Sequence, residues 1–182
     1  MGTLIFYVKG ESFVMLHISG VDYESVADGI GFRVTIFVSG CTHHCKGCHN
    51  PDTWCSTHGV EFTDFIQEGI FKACEVDYID GITLSGGCPM CNAKELLPFV
   101  RKFKKKFPNK NIWCYCGELY EDIIKDKKSD KYKLLKLVDV LVDGEFVLKL
   151  RDVTLPFKGS SNQRLIDVKE SLNRKQVILL EI

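Results

Sequence analysis

The sequence has no apolar run long enough to span a bilayer, and its first residues lack the pattern of a secretory signal. Residues 3–8 are apolar, but no charged segment precedes them and no cleavage site follows. The chain also has no excess of charge, because 24 Lys and Arg residues balance 24 Asp and Glu residues. A protein without net positive charge does not attract a polyanion such as nucleic acid over long range. These absences predict a cytoplasmic protein whose partners include neither nucleic acid nor a membrane.

Cysteine, in contrast, is abundant, with nine residues in a chain of 182. An odd number of cysteines without a secretory signal argues against a disulfide framework and favours metal chemistry. The length suits one compact domain, and no internal repeat or low-complexity linker divides residues 1–182. We therefore expect a single domain that binds metal through thiolates.

Three of the cysteines lie in one short segment, GCTHHCKGCHNPDTW (residues 40–54), directly after the apolar run 34–38. Cys41, Cys45 and Cys48 have the spacing C-x3-C-x2-C. A structural zinc site takes four protein ligands, whereas an iron–sulfur cube held by three cysteines leaves one iron open. The segment also contains histidines, so a Cys3His zinc site is a serious alternative on the cysteines alone.

Hydrophobic periodicity predicts strands that alternate with helices. The expected strands are 12–19, 34–39, 81–84, 111–116, 138–142 and, at the end, 176–181. The expected helices are 63–73 with Thr63 as N-cap, 94–107, and 118–137 with a polar interruption near 126–130. This alternation indicates an α/β fold with parallel strand pairing.

In such folds, ligands bind at the carboxyl ends of the strands. Four conspicuous segments follow predicted strands with that polarity: the cysteine segment, Ser85-Gly86-Gly87, Cys114 to Gly117, and Asp143. We therefore expect them to gather at one edge of the sheet.

The cysteine segment resembles the signature loop of radical S-adenosylmethionine (SAM) enzymes. More narrowly, the chain resembles the activating proteins of anaerobic ribonucleoside-triphosphate reductases. The matching stretches are DGIGFR, TIFVSGCTHHCKGCHNPDTW, ITLSGG, NIWCYCG, VDVLVDGEFV and FKGSSNQR, in that order between about residues 21 and 172.

The resemblance implies an incomplete (β/α) barrel of the radical SAM type, with a mostly parallel sheet and one open side. It implies an oxidoreductase that cleaves SAM reductively at one [4Fe–4S] cluster. Cys41, Cys45 and Cys48 would be the cluster ligands. The residues expected at SAM are Gly47, Cys48, His49, Asn50, Ser85, Gly86 and Gly87. His49 would stack on the adenine, and the two glycines would let the backbone approach the methionine end.

The resemblance also implies a protein substrate, the anaerobic ribonucleoside-triphosphate reductase, and a flavodoxin-type or similar electron donor. The radical would abstract a hydrogen from a glycine near the C-terminus of the reductase. The segment GSSNQR (residues 159–164) favours this activator over that of pyruvate formate-lyase. The alternatives are that sister activase, a non-catalytic zinc or iron–sulfur module, and a radical SAM enzyme acting on a small molecule.

Two positions depart from the pattern of the family. Cys88 stands where an acid usually follows Gly-Gly, and Cys116 stands where threonine is usual. They create Cys88-Pro89-Met90-Cys91 and Cys114-Tyr115-Cys116, which could form a second metal site. Unpaired reduced thiols are the plainer interpretation, which we favour from the sequence.

Overall fold

The computed structural model describes residues 15–182. The first residues of the strand expected at 12–19, and the apolar segment 3–8, lie outside that range. The strands are β1 His17–Ser25, β2 Phe32–Val38, β3 Val60–Glu61, β4 Ile79–Gly86, β5 Asn111–Cys116, β6 Val140–Asp143 and β7 Arg164–Asp167. The helices are α1 Asp64–Ala73, α2 Ala93–Lys106, α3 Tyr120–Ile123, α4 Asp130–Leu135 and α5 Val168–Arg174.

All seven strands form one sheet in the order β3-β1-β2-β4-β5-β6-β7. The four central strands β2, β4, β5 and β6 are parallel, whereas β1, β3 and β7 are joined by antiparallel pairing. The sheet is therefore mixed and open rather than closed. The predicted α/β class and parallel centre are confirmed, and the antiparallel additions at both edges were not anticipated.

The central strands are buried because helices cover them. Val34 and Ile36 of β2 and Leu84 of β4 have no exposed surface, as expected for β-branched and apolar runs inside a parallel sheet. Helix α2 contributes an apolar face that includes Phe99 and Phe103. The core thus lies between this face and the sheet.

Two of the helices begin at residues whose side chains cap the first turn. The side chain of Thr63 accepts a hydrogen bond from the backbone N–H of Ile66, as the sequence predicted for α1. Ser129 caps α4 in the same way, through the N–H of Tyr132. Residues 124–129 separate α3 from α4, which confirms the expected polar interruption.

Several elements differ from the prediction, and the two-residue strand β3 was not expected. Strand β1 runs on to Ser25, because its pairing with β2 continues beyond the predicted end through Val21 and Asp22 to Ser25. Strand β7 and helix α5 were missed, although Asp167 accepts a hydrogen bond from the N–H of Glu170, a helix-start signal visible in the sequence. Residues 176–181 lie beside β7 through an isolated bridge between Ile166 and Leu179 rather than a full strand.

The parallel strands place their carboxyl ends at one edge of the sheet. The segments after β2, β4, β5 and β6 therefore meet there, as the sequence predicted. Within residues 15–182, no helix is both long enough and apolar enough to cross a membrane.

Candidate metal centre

The segment between β2 and β3 folds into a closed loop, which we call the cysteine loop (residues 40–54). The N–H of Gly40 donates to the carbonyl of Thr53 at 2.8 Å, and the N–H of Cys41 donates to the carbonyl of Trp54 at 3.2 Å. Gly40 has φ of +99°, a conformation that favours glycine. The two ends of the loop are thus tied together, and the cysteines are held between them.

Cys41, Cys45 and Cys48 are each partly exposed on this loop. A tight turn from Cys45 to Cys48, closed by a 3.0 Å backbone hydrogen bond, brings the backbones of these two residues close together. Among the described residues, the three sulfurs are not all within 4.8 Å of one another. In this arrangement the three sulfurs are therefore not grouped around one single-ion site.

Partial burial raises the pKa of the Cys41 and Cys45 thiols above the ordinary value. A thiolate at these positions therefore needs a neighbouring positive charge, which a bound metal supplies. Three thiols on one short loop are a donor set that fits an iron–sulfur cluster with one iron left open.

The turn after β4 is seated directly against the cysteine loop. The N–H of Gly87 donates to Val38 at 2.7 Å, and the N–H of Cys88 donates to Gly40 at 3.0 Å. A Cβ atom on Gly87 would lie 2.7 Å from the carbonyl oxygen of Gly40 and 2.8 Å from that of Thr53. Packing of backbone on backbone therefore requires glycine here. The expectation that this glycine also admits SAM stays a prediction.

A second segment, the covering loop (residues 144–150), follows β6 and lies on the cysteine loop. Oε1 of Glu145 is 2.9 Å from Nδ1 of His43. The side chain of Leu148 lies against Gly47, where a Cβ atom would come within 3.0 Å of it. The carboxyl end of β6 thus helps to hold the cysteine loop.

The GSSNQR segment (residues 159–164) holds the covering loop in place through hydrogen bonds to its backbone. The amide of Asn162 donates to the carbonyl of Glu145 at 2.8 Å, and that of Gln163 donates to the carbonyl of Gly144 at 3.0 Å. This segment, which the sequence analysis linked to the choice of partner, therefore has a structural role at the site.

A second group of ligating side chains lies next to the cysteine loop, and it includes two of the cysteines that the sequence analysis named for a possible second metal site. Among residues 15–182, His43, Cys88 and Cys91 form the one group of three whose ligand atoms all lie within 4.8 Å of one another. Nε2 of His43 is 3.7 Å from the sulfur of Cys88, and the sulfur of Cys116 is 3.6 Å from that same atom. The C-x2-C spacing was visible in the sequence, but the histidine that joins it comes from a different loop.

Hydrogen bonds to Cys88 and Glu145 raise the pKa of His43 to about 9. These contacts favour a proton on each ring nitrogen, since one nitrogen faces Glu145 and the other faces Cys88. Contact with Cys116, together with burial, raises the pKa of Cys88, which is fully buried. Binding of a metal ion at this group would release these protons.

The residues expected at SAM lie on two adjoining segments, the cysteine loop and the end of β4 with the turn that follows it. Cys48, Asn50, Ser85, Gly86 and Gly87 are partly buried, whereas Gly47 and His49 are exposed. The fold thus brings the two halves of the expected site together, and the role of each residue stays a prediction.

Comparison with protein families gives one match that covers most of the chain. The family described as a 4Fe-4S single cluster domain matches residues 27–166. The match includes the cysteine loop, the turn after β4 and the covering loop.

Several curated relatives share the name anaerobic ribonucleoside-triphosphate reductase-activating protein. One from Haemophilus influenzae is 40% identical over 142 residues, which are 76% of this chain and 89% of that protein. One from Escherichia coli K12 is 37% identical over 142 residues, or 76% and 90% of the two chains. One from Enterobacteria phage T4 is 39% identical over 140 residues, or 76% and 85%.

Proposed function

The chain belongs to the family of anaerobic ribonucleoside-triphosphate reductase-activating proteins, and on that premise we propose that it is a radical SAM enzyme. Its substrate would be the anaerobic reductase, on which it generates a glycyl radical. The observation that carries this proposal is the closed cysteine loop, which presents three thiols at the carboxyl edge of a parallel sheet.

In the proposed site, Cys41, Cys45 and Cys48 hold a [4Fe–4S] cluster. When bound, this cluster supplies the electron for reductive cleavage of SAM into methionine and a 5′-deoxyadenosyl radical. The protein orients the reactants and excludes water. The backbone hydrogen bonds of Gly40 and Gly87 support this role, because they hold the cysteine loop and the turn after β4 in one arrangement before any ligand binds.

SAM would lie on the surface where the cysteine loop and the turn after β4 meet. The partly buried Ser85, Gly86 and Gly87 would face its methionine end, and the exposed ring of His49 would stack on its adenine. We propose these roles because the two segments adjoin through the hydrogen bond between Cys88 and Gly40.

A protein substrate suits the surface beside this site. The covering loop leaves Val147, Leu148 and Leu150 exposed at 37%, 44% and 44% of their surface. An apolar surface next to the site and an open sheet are suited to docking a partner segment. A hydrogen atom would then pass from a glycine Cα of the reductase to the 5′ carbon, giving 5′-deoxyadenosine and the glycyl radical. This transfer needs direct contact, because a primary radical that diffuses away reacts elsewhere.

The test combines the protein, reconstituted anaerobically with iron and sulfide, with SAM, a strong reductant and the anaerobic reductase from the same source. We expect a doublet electron paramagnetic resonance signal on the reductase, which collapses when its glycines carry deuterium at Cα. Cleavage of SAM without this signal would refute the substrate, and a signal on pyruvate formate-lyase would point to the sister activase. One tightly bound zinc on the cysteine loop and no uptake of iron would refute the radical chemistry.

A further inference from the structure

We propose that His43, Cys88, Cys91 and Cys116 form a second metal site that binds one zinc ion next to the cysteine loop. None of these residues belongs to the proposed cluster ligands, so the site goes beyond the proposed function. Its residues come from the cysteine loop, from the segment after β4 and from the end of β5.

The distances match the edges of a tetrahedral zinc site. With zinc–sulfur bonds of about 2.3 Å and zinc–nitrogen bonds of about 2.0 Å, two sulfurs lie about 3.8 Å apart, and a sulfur and a nitrogen about 3.5 Å apart. The sulfurs of Cys88 and Cys116 are 3.6 Å apart, and Nε2 of His43 is 3.7 Å from the sulfur of Cys88. Cys91 completes the group within 4.8 Å of His43 and Cys88. Cys116 lies outside this group of three, although it is close to Cys88, so its side chain has to turn toward the centre.

The histidine is oriented as a zinc ligand. A carboxylate only accepts hydrogen bonds, so Nδ1 of His43 donates to Glu145 at 2.9 Å and Nε2 faces the thiols. Carboxylate–histidine–zinc arrangements of this kind fix the ring and make the ligating nitrogen more basic. When zinc binds, the proton on Nε2 and the thiol protons go to solvent, while the bond to Glu145 persists.

The surrounding backbone makes room for this arrangement. A Cβ atom on Gly117 would lie 2.7 Å from Cδ2 of His43, so glycine lets the ring approach the thiols. The N–H of Glu118 donates to the sulfur of Cys116 at 3.2 Å, and the hydroxyl of Thr42 is 3.3 Å from the sulfur of Cys91. Such contacts stabilise ligating thiolates.

Three thiolates and one neutral histidine are a donor set typical of structural zinc. Because zinc has no redox chemistry, we assign the ion a structural role. It would cross-link the cysteine loop to the carboxyl ends of β4 and β5. Removal of zinc should therefore loosen the cysteine loop even where its own cysteines are intact.

The experiment uses the full chain with Cys41, Cys45 and Cys48 replaced by alanine, kept reduced and checked for folding by circular dichroism. Zinc alone is titrated against a chromophoric chelator. We expect one zinc per chain, and X-ray absorption should find three sulfurs and one nitrogen around it. Absence of tight zinc binding in a folded triple variant would overturn the proposal.

Substitutions in that background identify the ligands. We expect His43→Gln or Cys91→Ser to weaken zinc binding by more than about a hundredfold, and Glu145→Gln by about 10- to 100-fold. His44→Gln is the matched control and should leave zinc binding unchanged, because the His44 ring lies against Trp54, with 4.8 Å between ring centroids. Equal effects of His43→Gln and His44→Gln would overturn the assignment.

If the triple variant does not fold, the intact chain with its reconstituted cluster is analysed for metals instead. One zinc in addition to the iron, lost with Cys91→Ser, supports the site, and iron without zinc overturns it. The radical chemistry is measured separately by cleavage of SAM, so failure of the zinc site and failure of the proposed function give different results.

Discussion

Asp143 and Arg164 join two distant stretches of the chain at the edge of the site. They are directly paired in the antiparallel register of β6 and β7, and Nε of Arg164 donates to Oδ1 of Asp143 at 2.9 Å. Asp143 has no exposed surface and also accepts a hydrogen bond from the N–H of Tyr120 at 2.8 Å. The guanidinium of Arg164 reaches Glu121 as well. This pair therefore connects the start of the covering loop to the end of the GSSNQR segment.

Removal of the arginine should destabilise the protein strongly. Arg164→Gln would leave the buried carboxylate of Asp143 without its charged partner, which costs about 3 kcal/mol in the free energy of unfolding. The double variant Asp143→Asn with Arg164→Gln should recover part of this loss, since no buried charge remains. Urea unfolding of the four proteins measures the coupling, and strictly additive effects would contradict a direct pair.

Loss of any cluster ligand should abolish the iron chemistry. Cys41→Ala, Cys45→Ala and Cys48→Ala should each remove the [4Fe–4S] absorbance and the cleavage of SAM after anaerobic reconstitution, because each thiolate is proposed to bind its own iron. Cys55→Ala is the control, since Cys55 is an exposed thiol just past the same loop. Full activity of any of the three variants would remove that cysteine from the ligand set.

The close contact at Gly87 predicts a sensitive position. In Gly87→Ala the new methyl group would meet the carbonyl oxygens of Gly40 and Thr53, which belong to backbone and cannot swing away. We expect a loss of about 1–3 kcal/mol in the free energy of unfolding and weaker uptake of iron. In Gly20→Ala, the control, the methyl group meets nothing within 4 Å. Equal stability of the two variants would contradict the close packing.

Asp139 should make the stability depend on pH in the acid range. Burial opposes its charge, but hydrogen bonds from Lys104, Lys169 and the N–H of Ile112 outweigh burial and hold the pKa of Asp139 below the ordinary value. Because the pKa is lower in the folded state, this stabilisation is complete above the unfolded pKa of about 3.9 and is lost as pH falls through the folded pKa.

The matching variant is Asp139→Asn. We expect it to lose about 1–3 kcal/mol in the free energy of unfolding at neutral pH, since hydrogen bonds to a charged group disappear. The difference from the parent should shrink in urea titrations repeated between about pH 5 and about pH 2. Asp77→Asn, at an exposed position, should show little effect at any pH. A difference that stays constant with pH would contradict the assignment.

The covering loop should matter for the protein substrate. Leu150→Glu places a charge on the exposed apolar surface beside the site, so we expect weaker formation of the glycyl radical while cleavage of SAM persists. Val76→Glu is the control, because Val76 is similarly exposed, at 41%, but precedes β4 at the opposite edge of the sheet. Unchanged radical yield with Leu150→Glu, or an equal loss with Val76→Glu, would exclude this surface as the docking site.

The sequence alone was sufficient for the features whose residues are close together along the chain. Cys41, Cys45 and Cys48 lie within eight residues of one another, so their spacing could be recognised directly. The central strands and α2 carry periodic apolar patterns, because one or both of their faces are buried. The capping role of Thr63 depends on a contact only three residues away.

Tertiary structure decided the features that depend on the register of separate strands. Strand β7 is too short to show a period, and the end of β1 is mostly exposed, so their pairing with β6 and β2 defines both. His43 meets Cys88 and Cys91 because β2 and β4 end side by side, and Glu145 reaches it from the end of β6. No local pattern encodes these contacts, since side chains more than 40 positions apart become neighbours only when the parallel sheet aligns the ends of its strands.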